Sequence, residues 1–141
     1  MSGAEYSAPD NDAFVFQTGS VTVSIDENMA DVLDALGEPQ SYFEAASCAF
    51  DGLDKTYTYS GFIITTRPDG DADFVNSILL TDDSVTTSEG IYIGCQAEEV
   101  TGAYGESESD MDGVLSYTRG SSALNFILSD GAVISIEYLP A

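Results

Sequence analysis

Three aspartates at alternate positions are the first candidates for metal chemistry in this sequence. Asp69, Asp71 and Asp73 fall in the segment DGDAD, and carboxylate oxygens at such a spacing are the ligands that Ca²⁺ prefers. The EF-hand pattern fails, because its sixth position is Phe74 rather than glycine and its twelfth is Leu80 rather than glutamate. The segment is more typical of an acidic turn, and weak cation binding in that turn is the alternative.

Two cysteines, Cys48 and Cys95, are the only thiols. A disulfide between them would close a loop of about 48 residues and stabilise the fold by roughly 3–4 kcal/mol. The alternative is two separate thiols in a reducing compartment. The chain has no histidine, so neither cysteine nor serine has an imidazole to activate it as a nucleophile. Nucleotide-binding and hydrolase motifs are also absent, and we expect neither an enzyme nor a cofactor.

The charge balance limits the partners. Lysine and arginine total 3 against 25 aspartates and glutamates, which gives a formal net charge of −22. Such a chain repels the phosphate backbone of nucleic acids and anionic membrane surfaces. No apolar run is long enough to span a bilayer, and no signal segment is visible at the start. The alternatives are a cytosolic protein, or an exported one whose signal segment is removed. Residues 1–12 are predicted to be a disordered linker.

The elements that would position these residues show an internal correspondence. Residues 21–39 align with 90–107 at an offset of 68, and the offset then falls to 58, because the first half carries ten extra residues around 41–50. Gly37 matches Gly105, and Tyr59 matches Tyr117. The alignment predicts two repeats, 13–83 and 84–141, that form one compact domain.

Each half has the pattern of a short helix followed by strands. Apolar residues from Met29 to Leu36 recur at helical spacing and stop at Gly37, and the second helix stops at Gly105. Beyond each helix, apolar and polar residues alternate, with Asp-Gly turns in 67–73 and 129–131. We therefore predict an α+β fold, a tandem duplication in which short helices pack on one face of an antiparallel sheet.

The motif Leu36-Gly37-Glu38-Pro39 before antiparallel strands, with its second copy, resembles the β-lactamase-inhibitor-protein-like (BLIP-like) architecture. The single-copy relatives of that architecture include SmpA/OmlA (BamE-type) lipoproteins. Residues 47–70 also resemble lipoproteins of gut Firmicutes whose function is unassigned. The resemblance implies protein binding through the sheet. It also implies an extracellular or cell-surface location, with any membrane attachment through a lipid anchor outside this sequence.

The outward strand positions are the candidate binding face. By alternation they include Val75 and Val133, whereas Phe74 and Ile134 point inward. The outward residues are mostly uncharged, which is typical of a protein interface; the alternative is a plain solvated sheet face. The candidate binding residues are Thr58, Ile63, Thr65, Arg67, Ser77, Leu79, Thr118, Asn125 and Ile127.

The predicted function is a non-catalytic extracytoplasmic module that binds an unknown protein partner through this face. The first alternative is an acidic structural domain that responds to Ca²⁺. The second is an inhibitor of hydrolases, including β-lactamases.

Overall fold

A computed structural model describes residues 14–18, 21–46, 52–109, 111–120 and 122–140. The predicted linker, 1–12, lies outside them. The described chain contains nine strands and two helices. In chain order they are β1 (Val15–Thr18), β2 (Val21–Ser24), α1 (Met29–Leu36), β3 (Ser41–Ala46), β4 (Leu53–Tyr59), β5 (Phe62–Asp69), β6 (Ala72–Leu80), α2 (Ala97–Tyr104), β7 (Val114–Arg119), β8 (Ser122–Ser129) and β9 (Ala132–Pro140).

Both helices begin and end where local chemistry requires. The Asn28 side chain accepts a hydrogen bond from the Ala30 amide at 2.9 Å and caps α1. Glu99 caps α2 by accepting a hydrogen bond from the Gln96 amide at 2.8 Å. Each helix stops at a glycine with positive φ, Gly37 at 83° and Gly105 at 92°. The predicted helix over Met29–Leu36 and the predicted ends of both helices, at Gly37 and Gly105, are therefore confirmed.

The strands form one antiparallel seven-stranded sheet in the order β3-β4-β5-β6-β9-β8-β7, beside a separate β1–β2 hairpin. The two halves of the sheet join where β6 pairs with β9 over Ile78–Leu80 and Ile136–Tyr138. The predicted α+β tandem of helix-covered units is therefore wrong. Each helix has only eight residues, whereas about half of the described chain is strand. The seven-stranded sheet is continuous across the boundary predicted between residues 83 and 84.

Two β-bulges change which residues face the core. The register shifts between Thr65 and Thr66 in the β5–β6 pair, and between Ile127 and Leu128 in the β8–β9 pair. An extra residue on one strand reverses the alternation beyond it. Val75 and Val133 are therefore 0% and 1% exposed, and their predicted outward position is wrong. Ile134, predicted inward, is 53% exposed for the same reason.

The core lies on one face of the sheet, beneath the β1–β2 hairpin and the two helices. Phe16 of the hairpin packs against Phe62 of β5, with ring centroids 5.0 Å apart, and against Tyr138 of β9 at 6.0 Å. Met29 and Val32 of α1 and Val100 of α2 are also buried in this core. The hairpin and both helices lie on this face, and no described element covers the opposite face of the sheet, here called the outer face.

Candidate functional site

Strand register brings several candidate residues into one line across the outer face. Thr58 pairs with Ile63, and Ile63 pairs with Leu79. Leu79 pairs with Glu137, which also pairs with Asn125. Cross-strand partners have neighbouring side chains on the same face. The outer row therefore runs over five adjacent strands and consists of Thr58, Ile63, Leu79, Glu137 and Asn125.

A second group of candidates is held by hydrogen bonds at the sides of the outer row. The Thr65 and Ser77 hydroxyls are hydrogen-bonded to each other. Arg67 forms an ion pair with Asp26 and also donates to a backbone carbonyl. These contacts fix the side chains of Thr65, Ser77 and Arg67. Because Arg67 is already paired, it is less available to bind a partner protein.

The last two candidates lie toward the β7 side of the sheet. Thr118 is tied to Glu108, whose carboxylate accepts from the Thr118 amide at 2.7 Å and from its hydroxyl at 2.9 Å. Ile127 pairs with Val114 and Ser135 and is exposed. Of the nine predicted residues, Ile127 and Thr118 are exposed and the four in the outer row are half-buried. Ser77, which was predicted to face outward, is only 6% exposed.

Glu137 is the one charged member of the outer row. It lies between Leu79 of β6 and Asn125 of β8, and partial burial raises the pKa of its carboxyl above the ordinary value. Strand alternation already places Glu137 outward, but only the β6–β9 register shows that it is central. The outer row therefore presents a single carboxylate beside apolar, hydroxyl and amide groups.

The three aspartates of the acidic turn do not converge. Asp73 forms an ion pair with Lys55 at 2.7 Å, while Asp69 and Asp71 are exposed on the β5–β6 hairpin. In the part of the chain that the structure describes, no three aspartate, glutamate or cysteine side chains are arranged to hold a metal ion. The geometry of this turn does not favour the Ca²⁺-responsive alternative.

A cavity of about 320 Å³ lies between the start of α1 and the β5–β6 hairpin. Apolar side chains form one side, and the Lys55–Asp73 pair forms part of the other. Sequence reasoning missed this cavity, because only the folded register brings β4 and β6 to the same helix end. Its lining residues are Asn28, Met29, Ala30, Leu33, Lys55, Tyr57, Asp71, Ala72 and Asp73.

The proposed disulfide remains a prediction, because Cys48 lies outside the described residues. Cys95 is buried in the core, and its backbone carbonyl accepts from the Val133 amide at 2.8 Å. Ala46, the nearest described residue before Cys48, pairs with Leu53 at the β3 edge.

No family model matches this sequence, and no curated protein matches it. The fold is similar to the crystal structure of an extracellular protein containing an SCP domain from Bacillus anthracis strain Ames. The TM-score is 0.51 at 15% sequence identity, and the match covers 87% of this chain and 47% of that chain. This chain thus corresponds to about half the length of that protein, and the likeness shows the fold alone.

This similarity corrects the resemblance drawn from the sequence. The predicted BLIP-like and BamE-type relationship is wrong, because the structural neighbour and this chain share a mostly β fold rather than a tandem of α+β units. The Leu-Gly-x-Pro motif is a helix end followed by a strand, which unrelated folds also use. Neither helix in the described ranges is long and apolar enough to cross a membrane.

Proposed function

We propose that this chain is a non-catalytic extracellular module that binds a partner protein through the outer face of its sheet. The observation that carries the proposal is the outer row, in which side chains from five strands form a continuous line with one carboxylate. Its similarity in fold to an extracellular protein supports the location. We propose that the module is secreted or held at the cell surface.

The distribution of charge supports a protein partner. The whole chain carries a net charge of −22, yet Thr58, Ile63, Leu79 and Asn125 in the outer row are uncharged. Interface centres are depleted in charged residues, whereas surrounding charges select among partners. The acidic remainder would repel nucleic acids, anionic membranes and acidic proteins. A protein that offers apolar and hydrogen-bonding groups to the outer row is the expected partner.

Partner capture tests the proposal. Extracellular proteins of the source organism would be passed over the immobilised chain and over the variant I63D/T65D/L79D. The control variant A30D/A35D/Y92D adds the same charge at exposed positions outside the outer face. We expect the outer-face variant to lose a specific partner that the wild type and the control retain. Retention by all three proteins would overturn the proposal.

Because Ile63 and Leu79 are half-buried, circular dichroism must show that the triple variant is folded. A second variant, N125D/I127D, changes the exposed Ile127 and makes a nearly isosteric change at Asn125, so it preserves the test if the first does not fold. Loss of capture by this folded variant supports the proposal, and unchanged capture contradicts it.

A further inference from the structure

The strand β3 forms one edge of the seven-stranded sheet. All six of its residues are exposed, and within the described ranges it pairs only with β4. Tyr42 and Phe43, on opposite faces of the strand, are 46% and 66% exposed. An edge strand carries a row of backbone donors and acceptors that its single neighbour cannot satisfy.

The opposite edge of the sheet, formed by β7, is covered by another segment of the chain. The segment before β7 lies along that strand: the Glu108 amide donates to the Ser116 carbonyl at 2.8 Å, and the Ser116 amide donates to the Ser107 hydroxyl at 2.8 Å. The Glu108 carboxylate also accepts from the Thr118 amide at 2.7 Å. These contacts occupy the backbone groups that another strand would need, so the β7 edge is closed.

The sequence of β3 has one charged residue, Glu44, and otherwise lacks the usual devices that block an edge. Its residues, SYFEAA, include no lysine, proline or glycine, whereas natural edge strands are commonly protected by such residues or by bulges. Its pairing with β4 is regular over all six residues, from Ser41↔Thr58 to Ala46↔Leu53. An edge of this length with a regular register can accept a further strand.

We propose that β3 binds an extended, basic segment of another protein by β-strand addition. This proposal concerns the sheet edge and does not depend on the outer face. Main-chain hydrogen bonds to β3 would supply affinity, and side-chain contacts on the two faces would supply selectivity. Tyr42, whose ring lies 5.1 Å from that of Tyr57, presents an aromatic surface on one face, and Phe43 presents another on the opposite face.

Charge decides between a basic segment and a second copy of this chain. Pairing of two copies through β3 would bring together two molecules that each carry −22, with Glu44 of each strand at the shared edge. Like charges on adjacent strands are destabilising. Lysine or arginine on the added strand would instead face Glu44, which already accepts a hydrogen bond from the Tyr42 hydroxyl. Alternate positions on the other face would suit β-branched residues against Phe43.

A labelled peptide provides the probe. We would measure the fluorescence anisotropy of an eight-residue peptide that alternates lysine with valine or threonine, at physiological salt. A second peptide of the same sequence carries N-methyl groups on its four central residues, which removes backbone donors toward both sides but keeps every charge. We expect binding of the first peptide and at least about tenfold weaker binding of the second, because strand addition requires backbone hydrogen bonds. Equal binding of both would overturn the proposal, since it would indicate charge attraction alone.

Matched protein variants locate the contact. Phe43→Lys places a positive charge on β3, and Ile134→Lys makes the same change at a comparably exposed residue of β9, four strands away. We expect Phe43→Lys to weaken binding about tenfold while Ile134→Lys has little effect, because an edge lysine opposes strand addition. Equal effects would contradict the assignment to β3. Dimerisation of the chain through β3, seen by sedimentation and abolished by Phe43→Lys, would also overturn the choice of occupant.

Discussion

The Tyr59 hydroxyl donates a hydrogen bond to the Gly37 carbonyl at 3.0 Å and joins β4 to the end of α1. The same arrangement occurs at the end of α2, where the Tyr117 hydroxyl donates to the Gly105 carbonyl at 2.9 Å. Carbonyl groups at the end of a helix lack partners within that helix. A buried tyrosine therefore satisfies one of them in each case and attaches a short helix to the sheet.

Tyr59→Phe and Tyr117→Phe should each lower the free energy of unfolding. Each change removes the donor but retains the ring, so the expected loss is about 1–2 kcal/mol. The double variant should show the sum, because the two tyrosines share no hydrogen-bond partner. Urea denaturation followed by circular dichroism measures all three values.

Tyr138→Phe is the matched control for these changes. Its hydroxyl is also buried, and among the described residues it has no hydrogen bond of good geometry, although the Ser88 backbone lies near it. Removing the Tyr138 hydroxyl should lower the free energy of unfolding less than removing the Tyr59 hydroxyl does. A larger loss from Tyr138→Phe would contradict the role assigned to the tyrosine–glycine hydrogen bonds.

Stability should fall at alkaline pH because several tyrosines are buried. Burial raises the pKa of Tyr59, Tyr104, Tyr117 and Tyr138 above the ordinary value of 10.0. Well below pH 10 these tyrosines are neutral in both states. Above pH 10 the unfolded chain loses protons that the folded chain retains, so the free energy of unfolding decreases as pH rises.

Urea denaturation at pH 8, 10 and 11, with tyrosinate absorbance at 295 nm, measures this dependence. Tyrosinate should appear together with unfolding. Tyr138→Phe should reduce the slope between pH 10 and 11, since it removes one of the groups concerned. Full ionisation of all tyrosines in the folded protein near pH 10 would contradict the expectation.

Two glycine substitutions should have opposite effects. Gly61 in the β4–β5 turn has φ +88°, and an added Cβ would lie 2.5 Å from the Ser84 hydroxyl oxygen. Gly61→Ala should therefore lower stability by about 1–3 kcal/mol. Gly102 lies in α2 with open space around it, so Gly102→Ala should raise stability by about 0.5–1 kcal/mol. Thermal melting of both variants checks the contrast, and destabilisation by both would contradict it.

Local signals predicted the helices well. The apolar spacing from Met29 to Leu36 is a local signal, and so is the glycine after each helix. Both depend only on neighbouring residues, so they predict the helices without knowledge of the tertiary fold. The Asp-Gly turns at 69–70 and 130–131 were confirmed for the same reason. The fold class depended on how the two halves join, and no local pattern encodes the pairing of β6 with β9.

The candidate surface was predictable only up to each bulge. Strict alternation assigned Val75 and Val133 to the outer face, and the extra residue in each bulged strand placed both in the core. The ten residues around 41–50 looked like an insertion, because they lack a counterpart in the second half. Their first part forms β3, and its position at the sheet edge follows from pairing with β4.

Calcium should stabilise the fold no more than magnesium does. The net charge of −22 creates self-repulsion, and any divalent cation reduces it by screening. A specific Ca²⁺ site would require several converging oxygen ligands, whereas Asp73 is paired with Lys55 and Asp71 is exposed. Melting temperatures in equal concentrations of CaCl₂ and MgCl₂ should therefore rise by similar amounts, and Asp71→Asn should not change the difference. A larger rise in calcium that disappears in Asp71→Asn would establish the acidic turn as a Ca²⁺ site, because a ligand that binds only the folded state raises the melting temperature.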